Sequence, residues 1–301
     1  MKFAAIDIGS NAIRLQLTKV LEFENRITFK KLEYIRFPLR LGHDVFSIGK
    51  IGSEKEEAFM KLMHAYKNMI DLYEIIHYYG CATSAMRESE NGIDIVRRVQ
   101  EEVGLELNII SGQREAEMIN TVISLNLDNQ TYIHIDVGGG STELNFYRNQ
   151  EKVLSESFNL GSVRRLEKND SPQVWEAMQK WIQDQLKGNK GRIVAIGTGG
   201  NINKLYELSK VKSKRIMSIN TLIKMQEYLK GTTLDDRLNR LQLNPDRADV
   251  IIPASEIYLS VMRFAGAKSI YVPDIGLKDG INYYLYDKYY PSKGKVLVRN
   301  S

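Results

Sequence analysis

Two aspartates stand out as candidates for chemistry, because each ends an apolar stretch and comes directly before a glycine turn. Asp7 lies in IDIGSNAIRL (6–15), and Asp136 lies in IDVGGGSTEL (135–144). A carboxylate in this place can hold a metal ion or its water shell, since Mg²⁺ prefers oxygen ligands and usually takes one or two carboxylates plus substrate phosphates. The simpler alternative is an aspartate that caps its own turn.

The two stretches repeat one another at an offset of 129 residues, from Asp7 to Asp136. With the aspartates aligned, Arg14 falls opposite Glu143. One copy therefore offers a guanidinium that suits phosphate, and the other offers a second carboxylate that suits a metal. The repeat predicts a site that is built with symmetry and used asymmetrically.

Three glycine-rich turns each follow an apolar strand. They are Gly9-Ser10-Asn11, Gly138-Gly139-Gly140-Ser141 and Gly197-Thr198-Gly199-Gly200. Successive backbone N–H groups in such turns suit phosphate oxygens, and α/β sheets bind ligands at the carboxyl ends of their strands. The turns therefore predict phosphate binding; the alternative is that they serve strand geometry alone. The sequence contains no P-loop, dinucleotide fingerprint, H-E-x-x-H or G-x-S-x-G motif.

Composition is ordinary for a globular protein, with 301 residues, enough for two domains. The net charge of +5 favours an anionic ligand or reflects surplus surface lysine, and nucleic acid is not expected as a partner. The single cysteine, Cys81, excludes a disulfide framework and a cysteine-rich zinc site. There is no apolar run of membrane-spanning length and no signal-peptide core, so we expect a cytoplasmic protein without membrane contact.

Strands alternate with helices along the chain, which predicts an α/β class with two like-built domains facing each other. We place the domains at 1–125 and 126–301, and the final helix, from about 278, is able to pack back on the first. Ser53 and Glu56 form a capping-box pattern. The predicted strands are 2–8, 12–20, 27–37, 75–82, 105–110, 131–148 as a hairpin, 151–159, 192–197 and 269–274, and the predicted helices are 53–73, 86–103, one opening after 111–112, 200–230, 247–265 and one from 278.

A set of motifs in fixed order resembles the exopolyphosphatase and guanosine pentaphosphate phosphohydrolase (Ppx/GppA) family of the actin–hexokinase–Hsp70 superfamily. The motifs are DIGSNAIRL (7–15), LRLGHDVFSIGKIGSE (39–54), ATSAMRES (82–89), IISGQREAEM (109–118), DVGGGSTEL (136–144), GTGGNINKL (197–205), RADVIIPA (247–254) and DIGLKDG (274–280). The resemblance covers nearly the whole chain. It implies the short form of the family, with two ribonuclease-H-like (actin-like ATPase) domains facing an interdomain cleft.

The resemblance also implies roles for individual residues. Glu115 matches the family's general base, and Asp136 and Glu143 match its ligands for Mg²⁺ or Mn²⁺. Asp7 is added to these metal candidates because of its place before the first glycine turn. The expected phosphate-binding residues are Ser10, Asn11, Arg14, Thr83, Ser84, Arg87, Gly138, Gly139, Gly140, Ser141, Gly197, Thr198, Gly199, Gly200 and Arg247. Arg14 and Arg247 are also the expected contacts for guanosine tetraphosphate. One departure is Arg114, which stands where the family has the first of two paired glutamates.

Three functions remain open. The first is an exopolyphosphatase that releases orthophosphate from inorganic polyphosphate, or its close variant that converts guanosine pentaphosphate to tetraphosphate. The second is an ATP-dependent kinase or chaperone of the same superfamily, with an adenosine pocket around 197–200. The third is a sensor that binds alarmone or polyphosphate without turnover, which Arg114 alone favours. Family members often form homodimers, and the tyrosines near the C-terminus suit either a core or a dimer surface.

Overall fold

The structure is a computed structural model that describes residues 1–23, 26–125, 127–189, 191–212 and 214–290. The chain forms two compact units. Unit 1 comprises Met1–Leu125 and the segment that begins at Gly276, and unit 2 comprises Asn126–Ile275. Residue 126, at the predicted domain boundary, and residues 291–301 of the predicted second domain lie outside the described residues.

Unit 1 is built on a five-stranded sheet with the strand order β3-β2-β1-β4-β5. Its strands are β1 (Lys2–Ile8), β2 (Ile13–Phe23), β3 (Arg26–Phe37), β4 (His77–Ala82) and β5 (Leu107–Ile109). Its helices up to this point of the chain are α1 (Leu41–Ile48), α2 (Ser53–Leu72), α3 (Ser84–Glu88), α4 (Gly92–Val103) and α5 (Gly112–Ser124). The first three strands are antiparallel, whereas β1, β4 and β5 are parallel.

Unit 2 is built on a six-stranded sheet with the order β10-β11-β9-β6-β7-β8. Its strands are β6 (Thr131–Val137), β7 (Thr142–Arg148), β8 (Glu151–Phe158), β9 (Ile193–Thr198), β10 (Ile216–Ser218) and β11 (Ser269–Tyr271). Its helices are α6 (Ser162–Leu166), α7 (Pro172–Leu186), α8 (Gly200–Ser209), α9 (Ile219–Lys230), α10 (Pro245–Ala248) and α11 (Ile251–Phe264), with one π-helical turn at Asp236–Arg240.

The two sheets share one topology. In each, an antiparallel three-strand meander leads to a strand that pairs in parallel with its first strand, so β6, β7, β8, β9 and β11 correspond to β1 to β5. The extra strand β10 extends the second sheet beyond β11. This confirms the predicted α/β class with two ribonuclease-H-like domains.

Both meanders carry a β-bulge at the same place. The register between β2 and β3 shifts between Leu17 and Thr18, and the register between β7 and β8 shifts between Phe146 and Tyr147. These positions are again 129 residues apart. Because a one-residue shift moves every following side chain to the other face, each bulge decides which residue of the third strand stands beside the hairpin.

The last described helix, α12 (Leu277–Tyr289), packs within unit 1. Gly280 lies so close to α5 that an added Cβ would be 2.4 Å from the Met118 carbonyl oxygen. The ring of Tyr283 lies 4.8 Å from that of Phe29, and Tyr283 and Tyr286 are buried. These two tyrosines are therefore core residues, and a homodimer stays a prediction.

Some predicted elements differ from the structure. Ser53 is the first residue of α2 rather than its cap, and no capping-box bond forms; instead the preceding Gly52 donates its N–H to Asp44 Oδ2, 3.0 Å away. The helix predicted over 86–103 is two helices, α3 and α4, and β10 interrupts the helix predicted over 200–230. No described helix has both the length and the apolar character needed to cross a membrane.

Candidate functional site

The Gly9-Ser10-Asn11 turn joins β1 to β2, and two of its carbonyl groups accept hydrogen bonds from the protein backbone. Gly42 N–H donates to the Ser10 carbonyl oxygen (2.7 Å), and Arg40 N–H donates to that of Asn11 (3.1 Å). Both donors lie at the start of α1. Because carbonyl oxygens repel phosphate, tying them to protein donors suits the turn to an anion.

Asp7 and Arg14 are direct neighbours on β1 and β2. Arg14 Nη1 donates to Asp7 Oδ2 at 2.8 Å, and both side chains are mostly shielded from solvent. The aspartate therefore balances the charge of the arginine beside the turn. The roles of Asp7 as a metal ligand and of Arg14 as a phosphate ligand stay predictions.

Two further predicted phosphate residues meet at this turn. Ser10 Oγ lies 2.8 Å from Ser84 Oγ, and both serines are buried. Thr83 donates its N–H and its hydroxyl to the Ile8 carbonyl oxygen, at 3.0 and 3.3 Å. The end of β4 is thereby joined to the end of β1, and the hydroxyl groups of both segments lie together.

Arg87 and Glu115 are linked through the start of α5. Arg87 Nη1 donates to the Ile110 carbonyl oxygen (2.7 Å), just before Ser111, which caps the helix. Glu115 lies in the first helical turn, half-buried, with Oε2 shielded from solvent. A guanidinium has five N–H donors, so this bond leaves Arg87 with further donors for a phosphate.

Cys81 lies near both candidate carboxylates of unit 1, Asp7 and Glu115. It stands beside Asp7 in the sheet, and its thiol lies 3.9 Å from Met118 Sδ on the helix of Glu115. Burial, together with the negative charges of Asp7 and Glu115, raises the pKa of the Cys81 thiol. Asp7 and Glu115 therefore both lie near one buried, protonated thiol.

In unit 2, the Gly138-Gly139-Gly140-Ser141 turn is held in the same manner. Gly138 N–H donates to the Ser141 carbonyl oxygen (2.9 Å), as Gly9 N–H does to that of Ala12 (3.2 Å). Ser162 N–H donates to the Gly138 carbonyl oxygen (3.0 Å), and Arg164 Nε donates to that of Gly140 (2.8 Å). Arg164, which is buried, was not predicted from the sequence, where nothing marks it as part of this turn.

Asp136 and Glu143 are direct neighbours on β6 and β7, in the positions that Asp7 and Arg14 occupy in unit 1. Glu143 is buried, and its Oε1 accepts a hydrogen bond from Ser157 Oγ at 2.9 Å. No group of three or more His, Cys, Asp or Glu suited to a metal occurs among the described residues. Two adjacent carboxylates still fit Mg²⁺, because substrate phosphates and water complete its ligands.

The third turn lies against Asp136. Gly199 has a φ of 102°, which favours glycine, and an added Cβ would be 3.2 Å from Asp136 Oδ1. An added Cβ at Gly200 would be 2.9 Å from Arg247 Nη2. Gly200 also begins α8, and a helix N-terminus attracts anions. The structure therefore brings Gly199, Gly200, Arg247 and Asp136 together.

A buried tyrosine joins the two turns of unit 2. The Tyr258 hydroxyl donates to the Thr198 carbonyl oxygen and accepts from Val137 N–H at 3.3 Å. Burial, with the nearby charges of Asp136 and Glu143, raises the pKa of Tyr258. The sequence did not reveal this residue, because it lies 60 residues from one partner and 121 from the other.

A buried histidine contacts the third turn, Gly197-Thr198-Gly199-Gly200. His134 Nε2 lies 2.8 Å from Thr198 Oγ1, and its Nδ1 lies 2.9 Å from Asn145 Nδ2. Burial, and secondarily the charge of Lys152, lowers the pKa of His134 to about 3. Because the amide of Asn145 donates to Nδ1, the neutral ring donates from Nε2 to Thr198.

The comparisons with known proteins agree with this arrangement. The sequence model of the Ppx/GppA phosphatase family matches residues 23–289. A bifunctional 3-dehydroquinate synthase/phosphatase of Fusobacterium nucleatum is 28% identical over 90% of this chain, which spans only 44% of that protein. Exopolyphosphatase 1 of Mycobacterium leprae is 21% identical over 100% of this chain and 94% of its own length.

Among solved structures, an exopolyphosphatase from Cytophaga hutchinsonii shares the fold, with a TM-score of 0.82. It is 20% identical in sequence, and the match covers 96% of this chain and 98% of that one. The family match extends across both units and includes the residues of the turns at 138–141 and 197–200. The chain belongs to the Ppx/GppA phosphatase family.

Proposed function

We propose that this protein is a phosphoanhydride hydrolase that releases terminal orthophosphate from inorganic polyphosphate. The close variant of this reaction converts guanosine pentaphosphate to tetraphosphate. Family membership and the exopolyphosphatases among its relatives support the reaction class. The observation that carries the proposal is the place of Glu115, a half-buried carboxylate in unit 1. The same unit contains the Gly9-Ser10-Asn11 turn, next to which the hydroxyl group of Ser84 and the guanidinium group of Arg14 lie.

In this mechanism, Glu115 orients a water molecule and accepts one of its protons. The water oxygen bonds to the terminal phosphorus as the bridging P–O bond breaks, so orthophosphate leaves and the shortened chain keeps the bridging oxygen. Arg87 sets the start of the helix that carries Glu115, through its bond to the Ile110 carbonyl oxygen. The base is thereby held at one place relative to the phosphate turn.

Hydroxyl, amide and guanidinium groups would bind the phosphates. In unit 1, Ser10, Thr83 and Ser84 lie together at the ends of β1 and β4. Arginine suits the phosphoryl oxygens because its planar fork makes two parallel hydrogen bonds. In unit 2, the turn at 138–141 and the start of α8 supply backbone N–H groups.

Asp136 and Glu143 are the residues that would hold Mg²⁺ or Mn²⁺. When bound, the cation would offset the negative charge of the transferred phosphoryl group. Ser157 orients Glu143 by its hydrogen bond to Oε1, and Gly199 lets the third turn lie against Asp136. These contacts limit the directions in which the two carboxylates can point.

Arg114, the departure from the family pattern, makes its contacts away from this chemistry. Its guanidinium lies 5.3 Å from the ring centre of Tyr284 on α12 and pairs with Glu117 at 3.1 Å. It therefore joins α5 to α12, a packing role that is compatible with turnover. The sensor hypothesis stays the alternative that the test below must exclude.

The test is orthophosphate release from long-chain polyphosphate and from guanosine pentaphosphate, in parallel and with Mg²⁺. We expect metal-dependent release by the wild type and a loss of about 10²–10³ in kcat for Glu115→Gln. The matched control is Glu117→Gln, which removes a partly exposed carboxylate two residues further along the same helix. Binding of either substrate without release by the wild type would reject the hydrolase and favour a sensor.

A further inference from the structure

A layer of buried polar residues lies one step below the two carboxylates of unit 2. His134 on β6 and Asn145 on β7 are direct neighbours in the sheet. Each is two residues from a carboxylate of its own strand, Asp136 or Glu143, so these four side chains share one face of the sheet. Thr198 on β9 is the direct neighbour of Asp136 and belongs to this face as well. His134, Asn145 and Thr198 are each 0% exposed, and we call them the polar triad.

The hydrogen bonds of the polar triad run in one direction. Asn145 Nδ2 donates to His134 Nδ1 (2.9 Å), which leaves the hydrogen of the neutral ring on Nε2, and Nε2 donates to Thr198 Oγ1 (2.8 Å). A buried polar group is costly unless it has a partner. The bond from His134 therefore selects the orientation in which the Thr198 hydroxyl faces the ring, and it disfavours the other staggered positions of that side chain.

The backbone around Thr198 is held as well. The Tyr258 hydroxyl donates to the Thr198 carbonyl oxygen and accepts from Val137 N–H at 3.3 Å. Asn203 on α8 donates from its N–H and from Nδ2 to the Gly199 carbonyl oxygen, at 3.3 and 3.1 Å. The third turn is therefore tied to α8 and α11 through its carbonyl groups, and the polar triad ties it to β6 and β7.

The position of Gly199 decides how much room the carboxylate of Asp136 has. An added Cβ at Gly199 would be 3.2 Å from Asp136 Oδ1 and 3.3 Å from the Tyr258 hydroxyl. A small shift of the third turn would therefore change the space beside this carboxylate. Because the polar triad fixes Thr198, it also fixes the neighbouring Gly199 relative to Asp136.

The equivalent positions of unit 1 are filled differently. Ala5, Gln16 and Cys81 stand where unit 2 has His134, Asn145 and Thr198. Gln16 Nε2 donates to Thr18 Oγ1 (3.3 Å) on its own strand, and the Cys81 thiol packs against Met118 Sδ (3.9 Å). The topology does not require the polar triad, since unit 1 has the same topology with an alanine in the place of the histidine. Its presence in unit 2 coincides with the pair of carboxylates next to it.

We infer that His134 and Asn145 are positioning residues that act through Thr198. They hold the third turn against Asp136, so that this carboxylate is oriented for a divalent cation before the cation binds. The inference rests on the proposed function and deepens it, since it assigns residues that set the metal affinity of that site. Partners of metal ligands typically contribute about tenfold to a hundredfold in affinity, because a ligand that is already oriented loses less conformational freedom on binding.

The test is Mn²⁺ binding to the full chain, measured by electron paramagnetic resonance without substrate. We expect His134→Leu to weaken Mn²⁺ binding about tenfold to a hundredfold, because the Thr198 hydroxyl loses its donor. Thr198→Val, which keeps the shape of the side chain, should cause a similar loss. The double variant should lose no more than about threefold beyond either single variant, since both changes remove the same contact. His134→Gln keeps a donor and should bind Mn²⁺ more tightly than His134→Leu.

The matched control is Thr232→Val, just after the C-terminal end of α9. Thr232 is also buried, and its hydroxyl donates to the Leu229 carbonyl oxygen (2.6 Å). Both threonine variants should lower the melting temperature, whereas Mn²⁺ affinity should change less than about twofold in Thr232→Val. A merely structural role of the polar triad would lower the melting temperatures and leave Mn²⁺ affinity unchanged in every variant.

Unchanged Mn²⁺ affinity in Thr198→Val, additive losses in the double variant, or no Mn²⁺ binding by the wild type would overturn the inference. If His134→Leu does not fold, His134→Gln replaces it in the same comparison of single and double variants. If the wild type hydrolyses neither polyphosphate nor guanosine pentaphosphate while these losses are observed, the proposed function fails and the positioning role stands. If hydrolysis is observed and Mn²⁺ affinity is unchanged in His134→Leu, the reverse holds.

Discussion

The two meanders have the same backbone and opposite charges. Next to the first turn of each unit, a row of neighbouring residues crosses the three strands of the meander. In unit 1 this row consists of Asp7, Arg14 and Arg36. In unit 2 the equivalent row consists of Asp136, Glu143 and Ser157. Both rows border a glycine turn whose carbonyl groups are bonded to a following helix. The bulge lies at the same place in both units, although the side chains next to it differ.

The residue pairs on the first two strands of each meander, two positions before the aspartate, differ as well. The pair Ala5–Gln16 in unit 1 corresponds to His134–Asn145 in unit 2, where hydrogen bonds connect the histidine to the third turn. One topology therefore carries two arginines beside an aspartate in one unit and a carboxylate pair with a polar support in the other. The difference lies in the side chains, since the hydrogen-bonded frame is common to both.

The largest effect is expected from Glu143→Arg, which gives the row of unit 2 an arginine where the row of unit 1 has Arg14. Glu143→Arg replaces a carboxylate that would hold a divalent cation with a group that repels it, so we expect kcat for polyphosphate hydrolysis to fall by about 10²–10³ or more. Phosphate release measured across a range of Mg²⁺ concentrations checks this. Glu143→Gln, which keeps the shape of the side chain, guards against simple misfolding.

The control for this change is Glu156→Arg on β8. Glu156 is exposed and pairs with Leu144 rather than with Glu143, so it belongs to the other face of the sheet. We expect it to retain nearly full activity. Activity above about a tenth of the wild type in Glu143→Gln would argue against a metal role for this carboxylate.

The second test uses His134, which has alanine as its counterpart in unit 1. Its folded pKa of about 3 lies below the ordinary value of 6.5, so the unfolded chain binds a proton more readily. The stability due to the neutral ring is complete above pH 6.5 and is lost as the pH falls toward 3, at up to about 1.4 kcal/mol per pH unit. We expect His134→Gln to remove that part of the pH dependence.

Urea unfolding at several values between pH 7.5 and pH 4.5 measures this effect. Both tryptophans of the chain, Trp175 and Trp181, lie in unit 2, so their fluorescence reports its unfolding. His64→Gln, an exposed histidine of unit 1, is the control. Parallel stability curves for the wild type and His134→Gln would contradict the prediction.

The third test concerns the connection between turns, made by Tyr258 in unit 2 and by Ser10 and Ser84 in unit 1. Tyr258→Phe leaves the Val137 N–H and the Thr198 carbonyl without that hydroxyl. We expect a loss of about 1–3 kcal/mol in the free energy of unfolding, because buried polar groups lose their partner. Tyr228→Phe, at an exposed position, should change it by less than about 0.5 kcal/mol.

The smallest effect is expected at the end of the row, from Ser157→Ala. It removes the hydrogen bond to Glu143 Oε1, so the carboxylate is less well oriented, and we expect Mn²⁺ affinity to fall about tenfold. Electron paramagnetic resonance of Mn²⁺ measures binding without turnover. Ser155→Ala, two residues earlier on the same strand, is the control. Unchanged Mn²⁺ affinity in Ser157→Ala would remove Ser157 from the description of the site.

Residues close to the tight turns were predictable from the sequence. Asp7 with Arg14 and Asp136 with Glu143 follow from the repeat, because a short turn sets the register of the strands that it joins. The predicted helix of Glu115 is also present, with Ser111 as its cap. Tyr258 and Arg164 could not be found in this manner, since only packing brings them to the turns.

The sequence by itself therefore determined the duplicated hairpins, the α/β class and the pairs of side chains next to each turn. Local patterns carry that information, since they span only a few residues around glycine. The tertiary structure decided that Arg36 and Ser157, rather than Ile35 and Glu156, extend those pairs. The reason is physical: a bulge of one residue reverses which side chains face the site, and its position depends on the packing of the whole sheet.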